Sequence, residues 1–277
     1  MRTEFKNAVV VVIPLAFLAV MLVSFTGFRV QAQTPAFDKS NFHDPLKIDN
    51  KYYPLKPGAI MIYNGTDEEG KSMGDTVTVT NDTKEIEGVT TRVVNDTVWV
   101  EGKLTETTND WYAQDDKGNV WYLGEDTTDF TNKKNPKEGS WESGVNGARG
   151  GILMLAEPKV GITYDQEFAK DVAEDKATVL SLNENLSVPY GSFSNVIKTK
   201  EFSALEPDVV ENKYYAANVG DLKEKILKGS KEGIELDKSN EDIQPIYHWY
   251  TKSIKSMRWT RVSHLPNLIL SVLVHQT

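Results

Sequence analysis

Asp110-Trp111-Tyr112-Ala113-Gln114 and Val120-Trp121-Tyr122-Leu123-Gly124 flank Asp115-Asp116-Lys117-Gly118-Asn119. Two aromatic runs around five turn residues predict a β-hairpin, in which a type I turn with Gly118 left-handed opposes Asp115 to Asn119. Counting outward pairs Ala113 with Trp121, Tyr112 with Tyr122, and Trp111 with Leu123. Opposed residues share a face. Trp111, Ala113, Trp121 and Leu123 therefore form one apolar surface, expected in the core. Tyr112 and Tyr122 stack on the other, as either a second packed layer or the wall of a groove.

The same grammar extends to both sides. Val77 and Val79 alternate with Thr76, Thr78 and Thr80, the period of a half-buried strand. Strand-like runs recur at Ala59–Tyr63, Thr90–Val94, Val98–Leu104, Thr163–Phe168, Ala177–Leu182, Phe193–Phe202, Lys213–Ala217 and Leu222–Leu227. Short strands at ~8–12-residue spacing without long helices predict an all-β, mainly antiparallel domain. A curved open sheet, a half-barrel and a sandwich all fit the pattern. One such domain is expected over residues 51–242, entered through residues 33–50 as a linker and through Tyr52-Tyr53-Pro54-Leu55-Lys56-Pro57-Gly58.

The chain begins with an address. Arg2 and Lys6 precede an uncharged run from Asn7 to Phe28, and Val30-Gln31-Ala32 closes it with small residues three apart. This is the order of an export signal. The run is also long enough for a membrane-spanning helix, so residues 1–32 are either a cleaved signal or a retained anchor touching the membrane through residues 7–28. Pro14 and Gly27 favour cleavage. With no Cys near Ala32 a lipid anchor there is excluded, and the body is expected outside the cytoplasmic membrane.

Past residue 32 the chain holds 28 basic and 39 acidic residues. Such a surface repels nucleic acid and anionic lipid. The absence of cysteine removes disulfides, thiol catalysis, zinc–thiolate sites and iron–sulfur clusters. Of four histidines, only His43 precedes the last thirty residues, so no His triad or multi-His metal site is expected. Residues 243–277 differ: Lys252, Lys255, Arg258 and Arg261 stand there without an acid. Ile246, Trp249, Tyr250, Ile254, Met257 and Val262 fall near helical spacing. That tail reads as poorly ordered, as a docking helix on the acidic body, or as an interfacial membrane helix.

Chemical candidates are few. Asp115–Asn119 lacks the ligand spacing of a calcium loop and reads as a plain turn. Gly144, Gly147, Gly150 and Gly151 have no strand–turn–helix context and do not make a dinucleotide fingerprint. Glu125, Asp126 and Asp129 follow the hairpin, and Glu138 and Glu142 lie beyond a polar loop. Glu125 and Glu142 beside Trp121 and Trp141 could supply the paired carboxylates of a glycosidase. Asn64, Asn81, Asn95 and Asn185 head glycosylation sequons, close to the number that chance provides.

Tyr52–Gly58, the hairpin Asp110–Asp126, Gly139-Ser140-Trp141-Glu142 with Gly144-Val145, and Val188-Pro189-Tyr190-Gly191 resemble an uncharacterised family of exported bacterial and archaeal proteins. The likeness covers about residues 50–227. It implies a single β-rich domain, loosely similar to envelope lipoprotein-carrier folds with one open apolar face, and brings no catalytic residues or cofactor. The expectation is a non-catalytic cell-envelope domain that binds an apolar ligand or an envelope partner on its concave face. Tyr112, Tyr122 and Trp141 are the candidate binding residues. A carbohydrate-active enzyme using Glu125 and Glu142, or a surface-coat component, are the alternatives.

Overall fold

A computed structural model describes residues 34–227 and 232–240. The export segment and the basic tail lie outside them. The described chain forms fourteen strands and one 3-10 turn, Lys39–Asn41. The strands are β1 (Ile60–Thr66), β2 (Ser72–Ile86), β3 (Val89–Val100), β4 (Lys103–Gln114), β5 (Val120–Asp129), β6 (Trp141–Glu142) and β7 (Arg149–Met154). They continue as β8 (Thr163–Asp165), β9 (Glu167–Phe168), β10 (Asp175–Val188), β11 (Gly191–Ser203), β12 (Glu211–Ala216), β13 (Gly220–Ile226) and β14 (Gly233–Ser239). The expected antiparallel all-β fold is what the chain adopts. The stretch Val98–Leu104, expected as a strand, is instead the tight turn between β3 and β4. Glu101 and Gly102 both have positive φ there, the backbone of a two-residue hairpin turn.

The strands follow one another around the sheet in chain order, and β14 returns to pair with β1. At the other side β8 pairs with β10 and β9 with β7. These two strands are one stretch of chain, Thr163–Phe168, interrupted only at Gln166. The curved sheet therefore closes into an up-and-down barrel with a single break in its ladder. Near the break the ladder is short: β8 pairs with β10 only at Lys176–Thr178, and β9 with β7 only at Arg149 and Gly150. Gly151 permits closure: a Cβ there would lie 2.4 Å from the Gln166 carbonyl.

Inside, the barrel is divided. Val79, Val94, Ala177, Val179 and Ile197 belong to one apolar cluster and Leu222 and Leu236 to a second, all at most 1% exposed. Each large apolar side chain buried this way stabilises the fold by roughly 1.5–3 kcal/mol. The rest of the interior is polar. The face expected to be apolar and open is neither along its whole length.

Residues 34–58 are packed on the barrel. Phe37 and Phe42 meet Trp121 edge-on, with ring centroids 5.7 and 5.9 Å away. The buried Asn50 donates through Nδ2 to the carbonyls of Gly118 and Leu155, while its Oδ1 accepts from the backbone N–H groups of Tyr52 and Tyr53. That turn delivers Tyr53, Pro54 and Leu55 to the barrel interior.

Candidate functional site

The hairpin reads as its sequence does at the turn. Asp115 N–H donates to the Asn119 carbonyl at 3.0 Å, and Gly118 sits at φ +91°. Asp115 accepts from the backbone N–H groups of Lys117 and Asn119, from Asn119 Nδ2 and from Trp121 Nε1, at 2.8–3.0 Å. Tyr112 opposes Tyr122 and Ala113 opposes Trp121. The expected pairing of Trp111 with Leu123 fails. Between the pairs Tyr112–Tyr122 and Asp110–Glu125, β4 supplies Trp111 alone, and β5 supplies both Leu123 and Gly124. This bulge shifts the inside–outside alternation by one. Glu125 turns inward beside Tyr122 instead of outward.

Tyr112 and Tyr122 stack at 5.0 Å with their planes 20° apart, and Trp141 closes edge-on against Tyr122 at 5.5 Å. All three proposed binding residues therefore touch, and all three are buried. None offers an open platform. The two tyrosines instead form part of the wall of an interior cavity of about 240 Å³.

That cavity is lined by residues from strands all around the barrel, together with Tyr53, Pro54 and Leu55. Its walls carry many carboxyls and one ammonium. Lys213, on β12, lies 3.0 Å from Glu224 and 3.8 Å from both Glu201 and Glu211. Burial works against charge on Lys213 and Glu224. The opposite charge wins in both cases, holding Lys213 above the usual lysine range and Glu224 below the usual carboxylate range. Glu211 is less fully compensated, and burial pushes it up to about 8.

No second cation lines the cavity, and Lys213 bears on Asp75 and Asp96 as well. Asp75 on β2 and Asp96 on β3 share a hydrogen bond, and burial together with Asp96 pushes Asp75 up to about 10. Glu167 on β9 and Asp175 on β10 form a second carboxyl pair, and burial holds Glu167 well above the glutamate range. Asp75 Oδ1, Asp96 Oδ1 and Glu167 Oε2 are buried, and beyond these carboxyl pairs only the Trp141 indole, facing Glu167, is placed to donate. Among the described residues no three His, Asp or Glu side chains converge to hold a metal ion. Lumen residues such as Asp75, Asp96, Glu167 and Lys213 were not singled out by the sequence. The signal available was an acid at the inward position of a strand, for example Asp75 in phase with Val77 and Val79.

A second cavity, an open groove of about 420 Å³, lies between the hairpin and the segment at residues 140–148. It brings together Glu125, Glu142 and Trp141 as the glycosidase alternative requires, with Trp111 in place of Trp121. Glu142 pairs with Lys84 at 2.7 Å, and the Lys84 ammonium lies 3.3 Å from the centre of the Trp111 ring. Glu125 is pushed up to about 7 by burial. Two carboxyls with different surroundings thus face one groove, but Trp111 and Trp141 are both buried and leave no open ring for a sugar to stack on.

No helix among the described residues is long and apolar enough to cross a membrane. No family model matches the chain, and no curated protein matches it. Two solved structures are similar to it. One is a Bacteroides fragilis protein described as exported with a YmcC-like fold, 14% identical, with a TM-score of 0.40. The other is a Parabacteroides distasonis protein described as a lipoprotein, 11% identical, with a TM-score of 0.40. Each likeness covers 69% of this chain and 99% of the other. At that level of likeness neither carries an argument about the lumen or the groove.

Proposed function

We propose that this protein is an extracytoplasmic, non-catalytic binding barrel whose lumen takes a small organic cation bearing amine N–H donors. The export segment at residues 1–32 supports the location. The observation that carries the ligand class is the crowding of acids around a cavity of about 240 Å³, where the pairs Asp75–Asp96 and Glu167–Asp175 share the lining with a single ammonium. Lys213 shows what such walls need. One ammonium holds Glu224 ionised and lies within 4 Å of Glu201 and Glu211. An incoming ammonium would do the same for the two carboxyl pairs opposite, with charge-assisted hydrogen bonds that are stronger in a dry interior than in water. The apolar ligand expected from the sequence would bury these acids further without a counter-charge, a penalty that disfavours it.

The test is a thermal-shift and calorimetric titration of the purified protein with diaminobutane, oleate and glucose. Diaminobutane is expected to raise the melting temperature, with the shift at least halved in Asp75→Asn and Glu167→Gln. A shift with oleate alone, or an undiminished diaminobutane shift in both variants, would overturn the reading.

The carbohydrate-active alternative keeps one specific observation, the convergence of Glu125 and Glu142 in the groove. Hydrolysis of an oligosaccharide panel that is lost in both Glu125→Gln and Glu142→Gln would favour it.

A further inference from the structure

The wall between the lumen and the groove contains a hydroxyl with more neighbours than it can serve by donation. Tyr122 Oη is 2.7 Å from Asp110 Oδ1 and 2.9 Å from Glu125 Oε2. Both are hydrogen-bond distances. A phenol has one hydrogen, so it donates to only one carboxylate. The second contact holds only if the other carboxyl keeps its own proton and donates it to Tyr122 Oη. Asp110 and Glu125 therefore cannot both be ionised while this geometry persists. Two ionised carboxylates facing one phenol would leave a repulsive oxygen–oxygen contact in a buried wall.

The position of the three groups gives that proton a route. Asp110 and Tyr122 line the lumen, whereas Glu125 lines the groove, which is open to solvent. The proton can sit on Asp110 with Tyr122 donating to Glu125, or on Glu125 with Tyr122 donating to Asp110. Moving between the two arrangements shifts two hydrogens along two existing bonds. The acids that bear on the triad from the packed strands are Asp96 on β3, Glu106 on β4, Glu167 on β9 and Asp175 on β10, and the buried cation nearby in register, Arg92 on β3 opposite Tyr112, donates to the Thr80 carbonyl. Tyr112 stacks on Tyr122, and Tyr53 packs on Tyr112. On the groove side Lys84 is engaged by Glu142. Burial, reinforced by these acids, holds Asp110 well above the usual carboxylate range.

We infer that Asp110, Tyr122 and Glu125 form a proton-exchange site in the barrel wall, which releases its proton through Glu125 to the groove when a cation enters the lumen. This rests on the lumen reading for the identity of the exchanging charge. The balance is one positive charge in and one proton out. An ammonium arriving beside Asp110 stabilises its ionised form, and the displaced proton passes by way of Tyr122 to Glu125 and then to water, after which Tyr122 donates to Asp110 and the ionised Glu125 turns from Tyr122 Oη into the groove. The proton returns when the cation leaves. Affinity for the cation is then expected to rise with pH through neutrality.

Two measurements separate this inference from the lumen reading. Infrared spectroscopy of the ligand-free protein at pH 7 reads the C=O stretch of a protonated carboxyl. A component is expected that disappears in the Asp110→Asn/Glu125→Gln double variant and shifts in Tyr122→Phe, which keeps the ring stack. Calorimetry with diaminobutane in buffers of different ionisation enthalpy reads proton release. The release is expected to fall by about one proton per ligand in Glu125→Gln and in the double variant. No variant-sensitive carboxylic band at pH 7 overturns the inference even if diaminobutane binds normally. Unchanged proton release in Glu125→Gln also overturns it. If diaminobutane does not bind, the lumen reading fails and with it the coupling. The band and its response to Tyr122→Phe then decide the triad alone.

Discussion

Gly124 shows how much one residue decides. Its φ is +131°, and a Cβ there would come within 2.4 Å of the Trp141 carbonyl and 3.1 Å of the Trp111 ring. The bulge it permits turns Glu125 towards Tyr122. Gly124→Ala is expected to cost about 2–3 kcal/mol, measured by urea unfolding at pH 6, and a loss below ~0.5 kcal/mol would show that the bulge tolerates a side chain. Asp75 tests the opposite effect. Its folded-state pKa is raised to about 10, so the folded protein holds a proton that the unfolded chain gives up above ~4. That contribution is fully present below the unfolded value and is lost progressively as the pH climbs towards the folded value. Asp75→Asn removes the titration altogether. The variant should melt about 5 °C or more above the parent at pH 8 and show little gain at pH 4. Asp75 is visible in the sequence as an acid in phase with Val77 and Val79. That the strand's inward face meets a lumen at this point, and a core four residues later at Val79, depends on Asp96 and Tyr63 across the sheet.

At the scale of elements, the hairpin was legible because its period and turn chemistry are local. Tyr112–Tyr122 and Ala113–Trp121 pair as the sequence indicates, and the register breaks only where a glycine admits the bulge. The strand β14 went unread although Ile234 and Leu236 alternate with Glu235 and Asp237. It is the strand that brings the sheet back to β1. The segment ahead of β1 has a clear role: Phe37 and Phe42 cover Trp121, and Leu55 is buried. A double Phe37→Ala and Phe42→Ala variant should lose about 2–4 kcal/mol and shift tryptophan emission to the red as Trp121 meets water. Unchanged emission with unchanged stability would mean that the segment is merely draped over the barrel.

For the whole molecule, closure and an acidic interior act together. Burial raises Glu125 to about 7 and Glu211 to about 8, and holds Asp110, Glu167 and Asp221 well above their ordinary range. Each of these groups stabilises the fold relative to the unfolded chain at low pH, and that contribution falls as the pH rises from ~4 through the folded values. The ligand-free protein should therefore be more stable at pH 5 than at pH 8, by about 5 °C or more in Tm. A flat or rising profile over that interval would show that these acids are solvated or paired. A saturating organic cation is expected to flatten the slope, because it supplies at high pH the positive charge that protons supply at low pH. The amino-acid sequence by itself determined most of the strands, their antiparallel class and the aromatic hairpin, since two-residue periodicity and turn chemistry are properties of neighbouring residues. Closure of the sheet, the bulge that redirects Glu125, and the convergence of acids from several strands on one lumen were decided only in the tertiary structure. Those features depend on which residues oppose one another across strands far apart in the chain, and on how much water the closed wall excludes.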